Sequence, residues 1–201
     1  MDRELDGQSL HPGGLRLSDR AARLSGLTGG MRVADVGCGN GATLRYLSAR
    51  YSITGTGIDF SGELIARNRE AAPQIDFICG DAVYLPVEEA RFDAVLCECV
   101  LSETSDRKQV IRWINSALRP GGKLILSDIC SKKTVPELLT TQELTALISG
   151  SGFEILIEED HTPALVTYAA ERFQSGCAGF GYLLVIARKQ EAGDSEISKE
   201  R

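Results

Sequence analysis

Short apolar runs that alternate with amphipathic segments constrain the fold of this chain more than any other feature of its sequence. The apolar runs lie at residues 31–36, 52–59, 75–79, 92–98, 123–128, 153–158 and 180–188. They are apolar on both faces, which is typical of parallel strands buried between two layers of helices. The sequence therefore predicts an α/β fold, a doubly wound and mostly parallel sheet with helices on both faces.

Capping and breaking residues predict where the intervening helices begin and end. Ser18 is expected to cap a short helix ahead of the first run, and Ser61 a helix after the second. Another helix is expected to begin at Ser105-Asp106 and to stop before Pro120, because proline and the glycines after it cannot continue a helix. Further helices are expected at residues 43–50, at residues 141–148 and from Thr162-Pro163.

The length and the composition of the two ends predict one domain with loose termini. All 201 residues are assigned to a single domain, and a domain of this size buries roughly 70% of the surface that its unfolded chain exposes. Residues 1–14 are expected to form a loose N-terminal arm, and the charged residues 189–201 a solvated tail. Residues 161–179 separate the last two strands and are interpreted either as a lid or as a helix packed on the sheet edge.

Charge and composition exclude several classes of function. The 22 Lys and Arg residues are outnumbered by 28 Asp and Glu residues, giving a formal net charge of −6, whereas a nucleic-acid groove needs a basic surface. No apolar run approaches the roughly 18 residues of a membrane span, and the acidic N-terminus does not resemble a targeting signal. The sequence predicts a cytoplasmic protein that binds neither nucleic acid nor membrane.

Cysteine and histidine usage predicts neither disulfides nor a metal site. The six cysteines do not form the dense framework of a small secreted fold and include no CxxC pair. With only His11 and His161 in the chain, a histidine-based metal site has few ligands. No metal is therefore predicted.

Acidic residues stand at or just after five of the predicted strands. They are Asp35, Asp59, Asp81, Glu98 and Asp128. One acid at such a position is usually a helix cap or a turn residue, but the carboxyl ends of parallel strands meet at one edge of the sheet, where ligands bind. Carboxylates gathered at this edge repel one another unless a ligand binds to them. The set favours a ligand with hydroxyl groups, amines or a positive charge.

A glycine-rich loop, Gly37-Cys38-Gly39-Asn40-Gly41, joins the first predicted strand to the helix after it. Glycine tolerates positive φ and lets a ligand approach the backbone closely. The loop also fits the dinucleotide fingerprint G-x-G-x-x-G/A, with Asp59 lying 18 residues after Gly41 as the acid for a ribose. A nicotinamide-dependent oxidoreductase is therefore an alternative that the loop alone leaves open.

Two acidic residues help to decide whether the glycine loop binds a nicotinamide dinucleotide or another ligand. Asp35 lies inside the strand, two residues before Gly37, where its carboxylate would face both phosphates of a dinucleotide at close range. Asp81 follows the third strand and is placed to accept a hydrogen bond from an exocyclic amine such as that of adenine. Both features favour a ligand other than a nicotinamide dinucleotide.

Five motifs, in correct order and spacing, resemble those of the class I S-adenosylmethionine (SAM)-dependent methyltransferases. They lie at residues 33–41 (VADVGCGNG), 57–61 (GIDFS), 79–82 (CGDA), 92–98 (FDAVLCE) and 118–124 (LRPGGKL). The resemblance extends from about residue 27 to residue 128. It implies a seven-stranded sheet whose last strand is antiparallel and inserted beside its predecessor. It also implies SAM as the cofactor and S-adenosylhomocysteine as the product.

The resemblance further implies roles for individual residues. The glycine loop, with Cys38 and Asn40, would shape the pocket for the methionine part of SAM, whose ammonium would meet Asp35 and a backbone carbonyl. Asp59 would accept both ribose hydroxyls, and Phe60 would lie beside the adenine.

Four more residues complete the implied cofactor site. Asp81 would accept from the adenine amine, with Ala82 supplying a backbone contact. Cys97 and Glu98 would border the sulfonium and the incoming acceptor. No catalytic residue is assigned, because a sulfonium makes methyl transfer intrinsically favourable and the protein mainly aligns the reactants.

The acceptor is predicted to be a small molecule, because no large additional substrate domain is present. A SAM-binding protein without catalysis is an alternative, since cofactor motifs report binding rather than turnover. No feature of the sequence indicates an oligomeric state.

Cys97 and Cys99 are expected to lie together at the substrate entrance, because residues i and i+2 of a strand point to the same face. Cys177 in the insertion could approach them. Such a cluster is similar to that of the arsenite methyltransferases, in which soft sulfur ligands hold the metalloid. Three interpretations stay open: structural thiols, a thiophilic substrate such as arsenite, and an activated redox thiol.

Overall fold

One sheet of seven strands forms the centre of the protein. The computed structural model describes residues 10–81, 83–85, 89–173 and 177–191. The strands are β1 (Arg32–Val36), β2 (Thr54–Asp59), β3 (Asp76–Cys79), β4 (Phe92–Glu98), β5 (Leu118–Ser131), β6 (Phe153–Asp160) and β7 (Phe180–Lys189). Their order across the sheet is β3-β2-β1-β4-β5-β7-β6. The pairs from β3 to β5 are parallel, and β7 is antiparallel to both β5 and β6. The predicted fold class is confirmed, including the inserted antiparallel last strand.

Six helices of the described chain cover the two faces of this sheet. They are α1 (Gly14–Ser25), α2 (Ala42–Tyr51), α3 (Gly62–Ala71), α4 (Arg107–Ala117), α5 (Thr141–Ser149) and α6 (Thr162–Phe173). Buried side chains of α1, α2 and α3 share one hydrophobic core with Leu165 of α6, whereas those of α4 and α5 belong to the core on the other face. Successive residues of β1 alternate between the cores, with Val33 in the first and Ala34 in the second. Both faces of the central strands are therefore buried.

Side-chain caps explain where three of the six helices begin. Ser61 caps α3, its hydroxyl accepting from a backbone amide of the first turn at 3.3 Å. Asp106 caps α4 in the same way at 3.1 Å, and that helix ends before Pro120 as predicted. At α5 the cap is Thr140, which forms a capping box with Glu143.

Strand β5 is longer than the predicted residues 123–128. It pairs with β4 from Leu118 onward and with β7 as far as Ser131. The flanking strands supply partners for the extra residues at both ends, and such pairing is not visible in the local sequence. Asp128 consequently lies inside a strand rather than at its end.

The predicted start of α1 and the predicted loose arm are both corrected. The helix begins at Gly14, directly after the left-handed Gly13 (φ 82°), and Ser18 is a fully buried residue within it. Residues 10–14 are not a loose arm, because His11 and its neighbour Pro12 are buried and Gly14 is helical. Residues 1–9 of the predicted arm lie outside the described residues.

The predicted tail also begins later than expected. Lys189 is the last residue of β7, and its Nζ donates to the carbonyl oxygens of Asn115 and Leu118 at 2.7 and 2.8 Å. Residues 192–201 lie outside the described residues. None of the helices in the described ranges is long and apolar enough to cross a membrane.

Candidate functional site

The glycine loop (residues 37–41) lies where the parallel strands β1, β2 and β4 end at one edge of the sheet. Gly37, Gly39 and Gly41 have positive φ values of 71°, 51° and 68°. A Cβ at Gly37 would lie 2.5 Å from Cγ2 of Val100, closer than two carbon atoms pack. Both the backbone conformation and close packing therefore require glycine at position 37.

Hydrogen bonds from two neighbouring elements fix this loop. The Gly39 amide donates to Asp59 Oδ2 at 2.9 Å, and the Ser61 amide donates to Oδ1 of the same carboxylate at 2.9 Å. Asn68 of α3 donates from Nδ2 to the Gly39 carbonyl at 2.9 Å. Asp59 thus joins the loop to the end of β2, and its two oxygens keep further lone pairs for other donors.

The two other loop residues contribute to its shape. The Cys38 side chain is buried, which raises the pKa of its thiol. Its sulfur lies 2.9 Å from the position that a Cβ would take at Gly57, so it packs against β2. Asn40 Oδ1 accepts from the Ala42 amide at 3.1 Å, at the start of α2.

Asp35 is a buried carboxyl group in β1, beside the loop. Its exposed fraction is 3%, and no hydrogen bond or ion pair joins its side chain to any other described residue. Burial raises the pKa of Asp35 well above its usual value, and the negative charges of Glu98 and Asp59 raise it further. A ligand ammonium placed here would supply the positive charge that favours the ionised form.

Glu98, the last residue of β4, is held by the side chains of three residues, His11, Ser18 and Thr43. Ser18 of α1 donates to Oε1 at 2.9 Å, and Thr43 of α2 donates to Oε2 at 3.0 Å. Nε2 of His11 lies 3.2 Å from Oε2, and both side chains are only 7% exposed. The sequence predicts Glu98 but not its three partners, which approach it only in the folded chain.

Phe60 and Asp81 lie at the ends of β2 and β3 and are accessible. The Phe60 side chain is 81% exposed. Asp81 is exposed, and its Oδ1 accepts from the Val83 amide at 2.8 Å. Ala82, the other predicted adenine contact, lies outside the described residues.

The expectation that Cys97 and Cys99 share one face is wrong. Cys97 is fully buried in the core that includes α4 and α5, whereas Cys99 packs against the opposite core. The alternation fails because Cys99 lies beyond the end of β4 in a left-handed conformation (φ 55°). Cys177 packs against the same core as Cys99. A site that uses all three thiols therefore does not form, and the Cys97 thiol is closed to ligands.

Asp128, the fifth predicted acidic residue, is buried, and its carboxylate already accepts hydrogen bonds from the backbone. It accepts from the backbone amides of Leu101 at 2.7 Å, Ile129 at 2.8 Å and Ser102 at 3.3 Å. Burial raises the pKa of Asp128, and these hydrogen bonds lower it. Its function in the structure is to hold the turn after β4.

Residues 10–13 and α6, together called the cover, meet beside the glycine loop. Cδ1 of Leu10 lies 3.6 Å from the position of a Cβ at Gly39. The Leu10 carbonyl accepts from the Tyr168 hydroxyl of α6 at 2.7 Å. On its inner side α6 packs against the core through Leu165, while Phe173 at its end is 66% exposed. Residues 174–176 of the predicted insertion lie outside the described residues.

A family profile and a curated protein identify the family of this chain. The profile, described as a methyltransferase domain, matches residues 34–126. The 27-O-demethylrifamycin SV methyltransferase of Amycolatopsis mediterranei (strain S699) is 32% identical over 185 residues, which cover 79% of this chain and 68% of that protein. The chain belongs to the class I SAM-dependent methyltransferases. The predicted family, enzyme class and cofactor of this methyltransferase are confirmed.

Solved structures share the fold of the methyltransferase. The 4+2 cyclase SpnF superposes with a TM-score of 0.80 at 25% identity, covering 90% of this chain and 87% of that one. The phosphoethanolamine N-methyltransferase 2 of Haemonchus contortus, in complex with SAM, gives a TM-score of 0.79 at 18% identity, covering 91% of this chain and 54% of that one. The methyltransferase spans between 28% and 72% of the lengths of the curated relatives compared.

Proposed function

We propose that this methyltransferase binds SAM at the glycine loop and methylates a small-molecule acceptor that enters between Glu98 and the cover. The supporting observation is that three carboxyl groups, those of Asp35, Asp59 and Glu98, surround a loop of left-handed glycines. SAM carries an ammonium and a sulfonium against a single carboxylate, so an acidic edge attracts it.

The residues at this edge fit the parts of SAM. Asp35, which has no hydrogen-bond partner within the described chain, would pair with the ammonium. Asp59 would accept the ribose hydroxyls with the lone pairs that its two backbone donors leave available. Phe60 and Asp81 are exposed where the adenine is expected. Because the Cys97 thiol is buried, only the backbone at that position could border the cofactor.

Alignment is the main contribution that we assign to the chain. SAM would supply a methyl group on a positively charged sulfur. An oxygen or nitrogen of the acceptor would bond to the methyl carbon as the carbon–sulfur bond breaks, S-adenosylhomocysteine would leave, and the acceptor would lose its proton to solvent. Holding the two reactants in line can supply roughly 7–11 kcal/mol of barrier reduction. Glu98 is kept in one orientation by two hydroxyl donors and by His11, and Leu10 lies beside Gly39 of the glycine loop. No side chain is assigned as a general base.

The acceptor class is proposed from the relatives' names and from the site. One relative is named for an oxygen of rifamycin and another for the nitrogen of phosphoethanolamine, so a hydroxyl or an amine is the expected acceptor group. We propose that α6 serves as a lid or wall for this acceptor. A thiophilic acceptor is not proposed, since Cys97 and Cys99 lie on opposite faces of the sheet.

A second candidate is a SAM-binding protein that catalyses a reaction other than methyl transfer. The observation in its favour is the similarity to SpnF, which is titled a 4+2 cyclase. Such a protein would bind SAM at the same loop but would release no S-adenosylhomocysteine.

Incubation with methyl-labelled SAM tests both candidates. The purified protein would be mixed with SAM and pools of small hydroxyl and amine compounds, and label transfer and S-adenosylhomocysteine release would be measured. Calorimetry would compare SAM with NAD, for which micromolar SAM binding and weaker NAD binding are expected. SAM binding without product in any pool favours the second candidate, and NAD binding tighter than SAM refutes the proposed cofactor site.

A further inference from the structure

His11 fastens residues 10–13 to a buried carboxylate. Its Nε2 lies 3.2 Å from Glu98 Oε2, and its Nδ1 lies 3.1 Å from the Pro12 carbonyl oxygen. Both ring nitrogens thus face oxygen atoms of the chain, and Nε2 also lies 3.1 Å from the Ser18 hydroxyl. We therefore assign His11 a fastening function.

The fastened segment lies over the loop that is proposed to hold SAM. Leu10, directly before His11, places its Cδ1 3.6 Å from the position of a Cβ at Gly39. The Leu10 side chain is 52% exposed, so apolar burial contributes little to keeping it there. The polar contacts on either side of it, His11 with Glu98 and the Leu10 carbonyl with the Tyr168 hydroxyl, hold the segment in place.

Two partners of His11 lie on elements separate from the segment, and the third lies in the helix that follows it. Glu98 ends β4, Ser18 lies in α1 and Thr43 lies in α2. Ser18 and Thr43 donate to Glu98 at 2.9 and 3.0 Å, so the carboxylate keeps two donors when His11 withdraws. The segment can therefore open without leaving Glu98 as an unpaired buried charge, which would be costly.

We propose that the His11–Glu98 pair is a latch that closes residues 10–13 over bound SAM and makes His11 a positioning residue of the cofactor site. This inference rests on the proposed position of SAM at the glycine loop. With the latch closed, SAM leaves only when the segment opens, so the latch acts mainly on the dissociation rate. Loss of the latch shortens the residence time of SAM, while the sheet stays intact because His11 lies outside its strands.

A SAM chase experiment tests the latch. Protein loaded with labelled SAM is mixed with excess unlabelled SAM, and the dissociation rate is measured for the wild type, His11→Ala and His11→Gln. His161→Ala is the matched control, because His161 is the other histidine and also pairs with a glutamate, Glu159, at 3.0 Å. We expect a rate about tenfold faster in His11→Ala, an intermediate rate in His11→Gln, and a wild-type rate in His161→Ala.

Three outcomes decide the proposal. An unchanged dissociation rate in a folded His11→Ala protein overturns the latch, including the case in which only the melting temperature falls. If His11→Ala does not fold, Tyr168→Phe opens the other end of the segment, and a wild-type dissociation rate in that variant overturns the latch as well. Absence of SAM binding by the wild type refutes the proposed cofactor site itself and is seen before any variant is made.

Discussion

The glycine loop and the cover lie at the same site but are held by different kinds of contact. The loop is fixed by backbone conformation and by hydrogen bonds of Gly39 to Asp59 and Asn68, which lie 20 and 29 residues further along the chain. The segment of the cover is fixed by side chains from distant parts of the chain, such as Tyr168, which lies 158 residues from Leu10. We therefore expect the loop to be the more rigid of the two and propose that the cover opens while the sheet stays folded.

The largest effect is expected from Gly37→Ala, which tests the rigidity of the loop. A left-handed conformation costs a non-glycine residue roughly 1–2 kcal/mol, and overpacking against Val100 adds about 1–3 kcal/mol. The free energy of unfolding in urea should therefore fall by about 2–5 kcal/mol in total.

Gly30→Ala is the control for this substitution. Gly30 has a similar φ of 82°, but nothing lies within 4 Å of its Cβ position, so only the conformational cost of roughly 1–2 kcal/mol applies. Adding Val100→Ala to Gly37→Ala should recover part of the loss. Equal costs at the two glycines would show that close packing does not constrain the loop.

Asp59→Ala is expected to weaken SAM binding by about 10- to 100-fold, because charge-assisted hydrogen bonds contribute roughly 1.5–3 kcal/mol. The variant also removes the acceptor of the Gly39 and Ser61 amides. Calorimetry measures the affinity, with Asp76→Ala as the control at the opposite end of the sheet, where β3 begins. An affinity that does not change would place the ribose elsewhere.

Asp35→Asn is expected to act in opposite directions on binding and stability. SAM affinity should fall by about tenfold, since the ammonium loses its carboxylate. The ligand-free protein should gain of order 1 kcal/mol, or about 2–4 °C in melting temperature, because an uncharged side chain replaces an acid that burial disfavours as an anion.

The pH dependence gives the sign of this stability effect. Because the pKa of Asp35 is raised in the folded protein, the unfolded chain loses this proton at lower pH than the folded chain does. The wild type therefore loses stability relative to Asp35→Asn as the pH rises above the usual pKa range of Asp. Below that range the stabilities of the two proteins converge. Melting curves across this range measure the difference, and parallel curves would contradict the assignment.

The smallest effect is expected from Tyr168→Phe, which loosens the cover while leaving the loop intact. Loss of the hydroxyl that donates to the Leu10 carbonyl should cost about 0.5–1 kcal/mol, and SAM affinity should fall roughly two- to fivefold. Hydrogen exchange should show that SAM slows amide exchange in α6 of the wild type and does so less in the variant. Identical exchange with and without SAM in the wild type would mean that α6 is only a helix packed on the sheet.

Local sequence patterns predict the architecture and the cofactor edge. Apolar runs that are buried on both faces identify the strands, and Ser61 and Asp106 cap the helices as expected. The glycine loop and Asp59 are predicted as well, because the left-handed φ values and the turn after β2 depend on residues next to each other in the chain. These features involve short sequence separations, over which residue type alone carries the information.

Long-range packing decides the rest of the site. Ser18 has the residue type of a cap but lies inside α1, where its hydroxyl meets Glu98. His11 has no local signal, since its partner lies on β4 and is reached only after the sheet forms. Cys99 departs from strand alternation because the chain turns beyond Glu98 with positive φ. The sequence by itself determined the fold and the backbone that is proposed to bind SAM. The tertiary structure alone decided which distant side chains lie beside that backbone, because their contacts depend on packing rather than on neighbouring residues.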